Sequence, residues 1–245
     1  MIFSRRNMKM NNYMIFGLIL VCAALLCYSL IPSAGLKYLW KQKSRKRIKE
    51  GRADRRLYLT FDDGPSREYT GELLCLLKQY RIKASFFVVA EFARENPDLI
   101  EWMKEEGHLV GIHSVEHKNA LFRGRRFIRE DIRESVGTLE TMGCRARYYR
   151  PPWGHLNLWT LFFIRTMDLK LILWDVMAQD WSARETANSI KEKILRRVFP
   201  GAVLCLHDGR GTAGAPGRTL EALREAIPLL LEQGYVFERM DAYEY

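Results

Sequence analysis

From Leu57 onward the chain alternates short apolar runs with longer amphipathic stretches, and this alternation constrains the possible folds more than any other feature. A short run that is apolar throughout suits a strand covered on both faces, whereas an apolar stripe recurring every three or four residues suits a helix. Strands are expected at Leu57–Phe61, Ala84–Val89, Leu109–His113, Leu171–Val176, Ala202–His207 and Tyr235–Glu238. Tyr148–Pro152 is extended because its prolines exclude helix. Helices are expected at Tyr69–Gln79, Glu91–Glu106, Arg126–Met142, Leu158–Met167 and Thr186–Val198. A last helix is striped by Leu220, Leu223, Ile227 and Leu230, kinked by Pro228 and closed by Gly234. Repeated β-then-α units imply a parallel sheet with helices outside, and about seven strands can close into an irregular (β/α) barrel. The fold class is therefore α/β, and a chain of 245 residues holds one such domain.

The N-terminal part is different. Met14–Ile31 carries no charge, and its 18 residues at about 1.5 Å each just match a bilayer core of about 30 Å. Arg5, Arg6 and Lys9 precede it, as in a signal anchor or signal peptide, and Ser33-Ala34-Gly35 could be a cleavage site. The expected organisation is a signal anchor or signal peptide over 1–35, a solvated basic juxtamembrane stalk over 36–56 and a catalytic domain over 57–245. The lysines and arginines between Lys37 and Lys49 favour keeping the C-terminal part of the chain inside the cytoplasm, although long domains can be translocated despite flanking charge.

The net charge of +10 belongs to this tail. Of 39 basic and 29 acidic residues, 13 basic residues and two acids precede Leu57, leaving 26 against 27 in the remainder. A near-neutral domain disfavours nucleic acid as a partner. The five cysteines form no C-x-x-C pair, so neither a disulfide framework nor a zinc knuckle is expected.

Reactive side chains recur where the strands end: Asp62-Asp63-Gly64-Pro65, His113-Ser114-Val115-Glu116-His117, Arg150-Pro151-Pro152-Trp153-Gly154, Asp175 with Asp180-Trp181, and His207-Asp208. The C-terminal ends of parallel strands share one face, where active sites are built. His108 precedes its strand and should lie at the opposite end. Two histidines four residues apart can bind one metal, with a carboxylate from another strand completing a triad open to water. Of two adjacent carboxylates, one can ligate while the other serves as base.

These five segments, in this order, resemble the motifs of the polysaccharide deacetylases, the NodB-homology family or carbohydrate esterase family four, over about Leu57 to Tyr245. The resemblance implies one divalent ion on Asp63, His113 and His117, zinc first, with cobalt, nickel, iron or manganese as alternatives. It implies Asp62 as general base, Arg150 as the group orienting it and His207 as general acid. Trp181, Trp153 and Leu206 would line the substrate pocket, with a backbone N–H near Trp153 facing the oxyanion. The chain departs from the family pattern at Ile112, Lys118, Met177 and Cys205. Met177 stands where a carboxylate usually tunes the catalytic histidine. Asp175, two residues earlier and on the same side of a strand, is expected to replace it, or failing that Asp180.

The expected activity is metal-dependent hydrolysis of N-acetyl groups on a glycan by a monomer, anchored in a membrane with its domain outside the cytoplasm, or secreted if the N-terminal segment is cleaved. Peptidoglycan or another N-acetylhexosamine polymer is the first candidate substrate. Chitooligosaccharide, exopolysaccharide and acetylated xylan are alternatives. So are a small amide or imide hydrolase, which would vary the metal or base motif, and a non-catalytic wall-binding relative, which would lack base or acid.

Overall fold

The computed structural model describes residues 2–50 and 54–243. The last residues of the expected stalk, 51–53, and of the expected domain, 244–245, lie outside the described residues. The expected α/β barrel is present. Strands β1 (Arg56–Asp62), β2 (Ser85–Val88), β3 (Leu109–Ile112), β4 (Tyr148–Tyr149), β5 (Lys170–Leu171), β6 (Val176–Met177), β7 (Val203–His207) and β8 (Val236–Glu238) pair only in parallel. Their order is β5-β4-β3-β2-β1-β7-β6, with β8 on the start of β1. Helices α3 (Thr70–Gln79), α4 (Ala90–Glu95), α5 (Pro97–Glu105), α6 (Arg125–Thr141), α7 (Leu158–Thr166), α8 (Ala187–Arg197) and α9 (Ala215–Glu232) alternate with the strands.

Two elements differ from expectation. The helix expected over Glu91–Glu106 is broken at Asn96, because Pro97 forces the preceding residue out of helical geometry. The strand expected over Leu171–Val176 is two short ladders at the two ends of one extended segment. Its beginning pairs with β4 and its end with β7. That segment joins the two sheet edges, and between the ladders the guanidinium of Arg150 donates to the carbonyl of Leu173 at 3.1 Å.

Strand alternation sorts β7 into two faces. Leu204 and Leu206 pack with Phe61 and the helix layer, whereas Cys205 and His207 turn toward the barrel mouth. Leu206 is thus fully buried in the hydrophobic core and is not part of the substrate pocket. Its neighbour His207 lines the cavity at the mouth because a strand's side chains alternate.

The basic stretch after the apolar run, expected as a solvated stalk, is helical and rests one face on the barrel while most of its cations remain exposed. Helix α1 (Ile2–Leu25), a π-turn over Leu26–Leu30 and helix α2 (Ile31–Lys49) follow without a break. Side chains from Met14 to Ile31 are largely exposed and apolar, and the helix is long and apolar enough to cross a membrane. Helix α2 lies along the barrel. Ser33 donates to the carbonyl of Leu156 at 2.8 Å and accepts from its N–H at 3.0 Å. Further along, Lys37 donates to the carbonyl of Trp153 at 3.0 Å, and Trp40 stacks on Tyr243 at 5.4 Å. Ser44 donates to Asp175 at 2.6 Å, and Arg47 lies over the Tyr243 ring at 4.5 Å. The small serines let the helix approach closely, and Lys37 and Arg47 reach a carbonyl and aromatic faces, while Lys41, Arg45, Lys46 and Lys49 stay exposed.

Leu206→Ala should lower the unfolding free energy by about 2–5 kcal/mol through the cavity it leaves. Urea unfolding checks this. KM should stay unchanged, whereas a pocket residue would raise KM and leave stability alone.

Candidate active site

The first strand delivers Asp62 and Asp63 to the barrel mouth. Their loop is shaped by two close approaches. A Cβ on Gly64 would meet the Asp208 carboxylate at 2.2 Å, and one on Gly209 would meet the Asp63 carbonyl at 2.2 Å. Asp208 itself accepts from Thr70 at 2.6 Å, and Thr70 accepts from the N–H of Ser66, so the loop is tied to α3. Asp63 has a left-handed φ of 72°. A residue without glycine's freedom is held in that region only where the surrounding structure over-determines it, which is common at functional sites.

Asp62 is buried, and Oδ1 accepts from the Arg150 guanidinium at 2.6 Å. Arg150 is fully buried. It also donates to Thr60 at 2.8 Å and lies over the Phe87 ring at 4.2 Å. A buried pair broken on one side costs about 3–5 kcal/mol, so this arginine fixes the Asp62 side chain in one rotamer. The Cys205 thiol donates to Asp62 Oδ2 at 3.3 Å, which gives that departure from the family pattern a place beside the Asp62 carboxylate.

Asp63 meets the two histidines. His113 Nε2 and His117 Nε2 lie 3.3 and 3.0 Å from Asp63 Oδ1. His113 Nδ1 donates to the Arg150 carbonyl at 2.6 Å, which leaves its Nε2 lone pair facing the carboxylate. Among the described residues, the buried Asp63 Oδ1 has no hydrogen-bond donor. Three ligand atoms of Asp63, His113 and His117, all within 4.8 Å of one another, suit a divalent cation between them. Burial would raise the Asp63 carboxyl, but the facing histidines hold it far below the usual carboxylate range. Burial lowers the His117 imidazole, which favours the neutral ligand form.

The histidine loop needs support that the sequence did not reveal. Ser114 and His117 have left-handed φ of 75° and 58°. Asp131 on α6 accepts from the Ser114 hydroxyl at 2.8 Å and the Val115 N–H at 2.9 Å. An acid on the inward face of an otherwise amphipathic helix was the available signal. Glu116 points outward and pairs with Lys118.

Opposite stands His207. Its Nδ1 donates to Asp180 Oδ1 at 3.0 Å, and its backbone N–H donates to Asp180 Oδ2 at 2.8 Å. Thr219 on α9 donates to the same carboxylate at 3.0 Å. Burial alone would lower the imidazole, yet Asp180, with Asp63 and Asp62 behind it, pushes it up to about 9. Asp175 is therefore not the partner of His207. It lies level with Val203, whose N–H it accepts at 2.9 Å, and it also accepts from Ser44. Four residues along β7 separate Val203 from His207, about 13 Å at strand spacing. Asp180 reaches the histidine because the chain turns at Gln179, with φ 62°.

A cavity of about 490 Å3 joins these groups, walled by Trp153, Trp174, Met177 and Trp181. Trp153 stands edge-on to His117 at 4.3 Å. His155 and Arg210 also line the cavity, the former accepting from Asn119 at 3.0 Å. Asn157 is instead the buried N-cap of α7 in a capping box. His108 lies before β3 at the far end, buried and accepting from the Ala84 N–H.

A parallel barrel whose mouth holds this arrangement is the fold and site of a carbohydrate esterase of the deacetylase type. The chain belongs to the polysaccharide deacetylase family, whose model matches residues 49–172. It is 32% identical to a chitooligosaccharide deacetylase of Sinorhizobium fredii over 75% of this chain and 89% of that one. It is also 32% identical to a peptidoglycan-N-acetylglucosamine deacetylase of Bacillus cereus, over 73% of this chain and 64% of the other. Among solved structures, the Bc1960 peptidoglycan N-acetylglucosamine deacetylase, in complex with a naphthyl N-hydroxybenzamide, superposes with a TM-score of 0.73. That match has 29% identity and covers 78% of this chain and 88% of that one.

Two outcomes test the geometry. In Asp180→Asn the basic limb of the kcat/KM profile should move to lower pH. His207 loses the charge that keeps it protonated into the alkaline range, so the acid form disappears earlier as pH rises. His113→Ala should lose bound divalent metal, measured by elemental analysis after dialysis, and with it activity by at least about a hundredfold.

Proposed function

We propose that this chain is a glycan N-deacetylase held in a membrane by its N-terminal helix, with its catalytic domain outside the cytoplasm. The observation that carries this reading is the pair Asp62 and Asp63. The first is locked by Arg150, the second is aimed at two histidines, and His207 with Asp180 stands across the same cavity. An amide is a weak electrophile with a poor leaving group, so its hydrolysis needs a Lewis acid, an activated water and a proton donor together.

A divalent ion on Asp63, His113 and His117, zinc first by its ligand set, would supply the Lewis acid for the carbonyl and the water. Asp62 takes the proton of the attacking water at Oδ2, the oxygen not held by Arg150. His207, its Nδ1–H fixed on Asp180, presents Nε2 and gives its proton to the amine nitrogen as the C–N bond breaks. Acetate and a free amino sugar result. The indoles of Trp153 and Trp181 supply flat apolar walls suited to a sugar ring and an acetyl methyl group.

The substrate is an N-acetylhexosamine polymer, peptidoglycan or a chitin-like oligomer, as for the deacetylases of Bacillus cereus and Sinorhizobium fredii. One chain supplies every group named here, which supports action as a monomer. An anchor is favoured over a cleaved signal. Ser33-Ala34-Gly35 lies inside helix α2 with Ser33 buried on Leu156, whereas processing sites are extended and exposed.

The test is mass spectrometry of N-acetylglucosamine oligomers and peptidoglycan fragments incubated with the full chain and a divalent ion. Each acetyl group lost should leave one amine, and a chelator should stop the reaction. Asp62→Asn should retain metal and lose activity by about 10²–10⁴-fold. Release of acetate by Asp62→Asn at the wild-type rate would overturn the assignment of the base.

A further inference from the structure

Helix α2 runs along the barrel in one direction. Ser33 and Lys37 meet Leu156 and Trp153 at the mouth, Ser44 meets Asp175 beside the start of β7, and Arg47 meets Tyr243 beside the start of β1. The helix continues unbroken from the apolar run, so position along it gives height above whatever that run enters. The mouth, not the base, is the end of the barrel nearest the apolar segment.

The heights are small. The apolar run ends at Ile31, and Lys37, which holds the carbonyl of the cavity residue Trp153, is six residues further, about 9 Å at helical rise. Helix tilt only reduces that figure. A headgroup layer is about 5–7 Å thick on each side of the hydrocarbon. Contact with the domain begins even earlier. The Tyr28 hydroxyl, inside the apolar run, donates to the carbonyl of Arg123.

The surface at that height has matching chemistry. Arg123 follows Phe122, which is 62% exposed, and the loop is tied through Asn157 to the start of α7, where Leu158 and Phe162 are also exposed. Arg125 and Arg126 come next in the chain, the first lying over Trp159 at 5.3 Å. Apolar side chains beside arginines and an indole suit the boundary between acyl chains and anionic headgroups.

We infer that the domain lies mouth-down on an anionic bilayer through Phe122, Arg123, Arg125, Leu158 and Phe162, and acts on N-acetylated glycan presented at the membrane surface. This rests on the chain being a membrane-held deacetylase. The mouth, within about 9 Å of the hydrocarbon, can take a sugar chain carried on a lipid or held against the headgroups, whereas a strand deep in a wall would have to approach from the side.

The test uses the full chain in phosphatidylcholine–phosphatidylglycerol vesicles containing spin-labelled lipid. A fluorophore is placed on Ile19→Cys, Phe122→Cys or Val236→Cys after Cys22, Cys27 and Cys75 are changed to serine. Quenching is expected at positions 19 and 122 but not at 236, which lies at the barrel base. Quenching at 19 without quenching at 122 overturns the docking and leaves the anchor standing. No quenching at 19 overturns both. In a second arm, Phe122→Asp/Leu158→Asp is compared with the wild type on an N-acetylglucosamine oligomer, free or coupled to vesicle lipid. Turnover of the coupled oligomer should fall about tenfold, the scale of two apolar groups leaving lipid, with the free oligomer unaffected. Equal rates of variant and wild type on the coupled oligomer overturn the membrane-surface substrate. Failure of the wild type on both forms overturns the deacetylase reading instead, and the substrate inference with it.

Discussion

The guanidinium of Arg150 is the contact on which the mouth of this barrel depends. A fully buried cation is tolerated only where charge and hydrogen bonds replace water, and here Asp62, Thr60 and the Leu173 carbonyl do so. The partners come from two separate parts of the fold. Asp62 and Thr60 come from the central strand, and Leu173 from the segment that joins the two sheet edges. The backbone carbonyl of the same residue fixes the tautomer of His113. One residue thus ties the two sheet edges to the central strand, fixes the Asp62 rotamer and orients His113, and no one of these contacts can be changed without the others.

Around that centre the backbone is strained where side chains are delivered. Asp63, Ser114, His117, Trp153 and Gln179 all have left-handed φ, yet none is glycine. Glycine would relieve the strain and remove the ligand, the wall or the support. The glycines stand beside them instead, at Gly64 and Gly209, where backbone and the Asp208 carboxylate approach too closely for any Cβ. Fixation comes from groups remote in sequence. Asp131 holds the histidine loop, and Thr219 joins His207 in holding Asp180.

Helix α2 connects the apolar N-terminal segment to the cavity. Its lysine nearest the mouth holds the carbonyl of Trp153, the residue whose ring packs on His117. The cations between Lys37 and Arg47, read from sequence as a flanking charge cluster, are partly taken up by the domain. Their bearing on membrane topology is correspondingly weaker than a count of charges suggests.

The sequence by itself determined the α/β alternation and the placement of reactive residues at strand ends, among them Asp62, Asp63, His113, His117, Arg150 and His207, which meet at the barrel mouth. These follow from local rules, since apolar runs and breakers set strands and parallel strands share one functional face. Tertiary structure decided what depends on register and on distance through space. Asp175 and Asp180 are both plausible partners for His207 along the chain. Only the pairing of Met177 with Cys205, followed by the turn at Gln179, brings Asp180 to the imidazole and leaves Asp175 to Ser44. Leu206 and Cys205 differ by one position, and strand alternation sends one to the core and the other to the base. The polarity of Lys37 to Lys49 suggested a solvated stalk, because composition records charge but not the carbonyls and aromatic faces that another part of the chain brings to meet it.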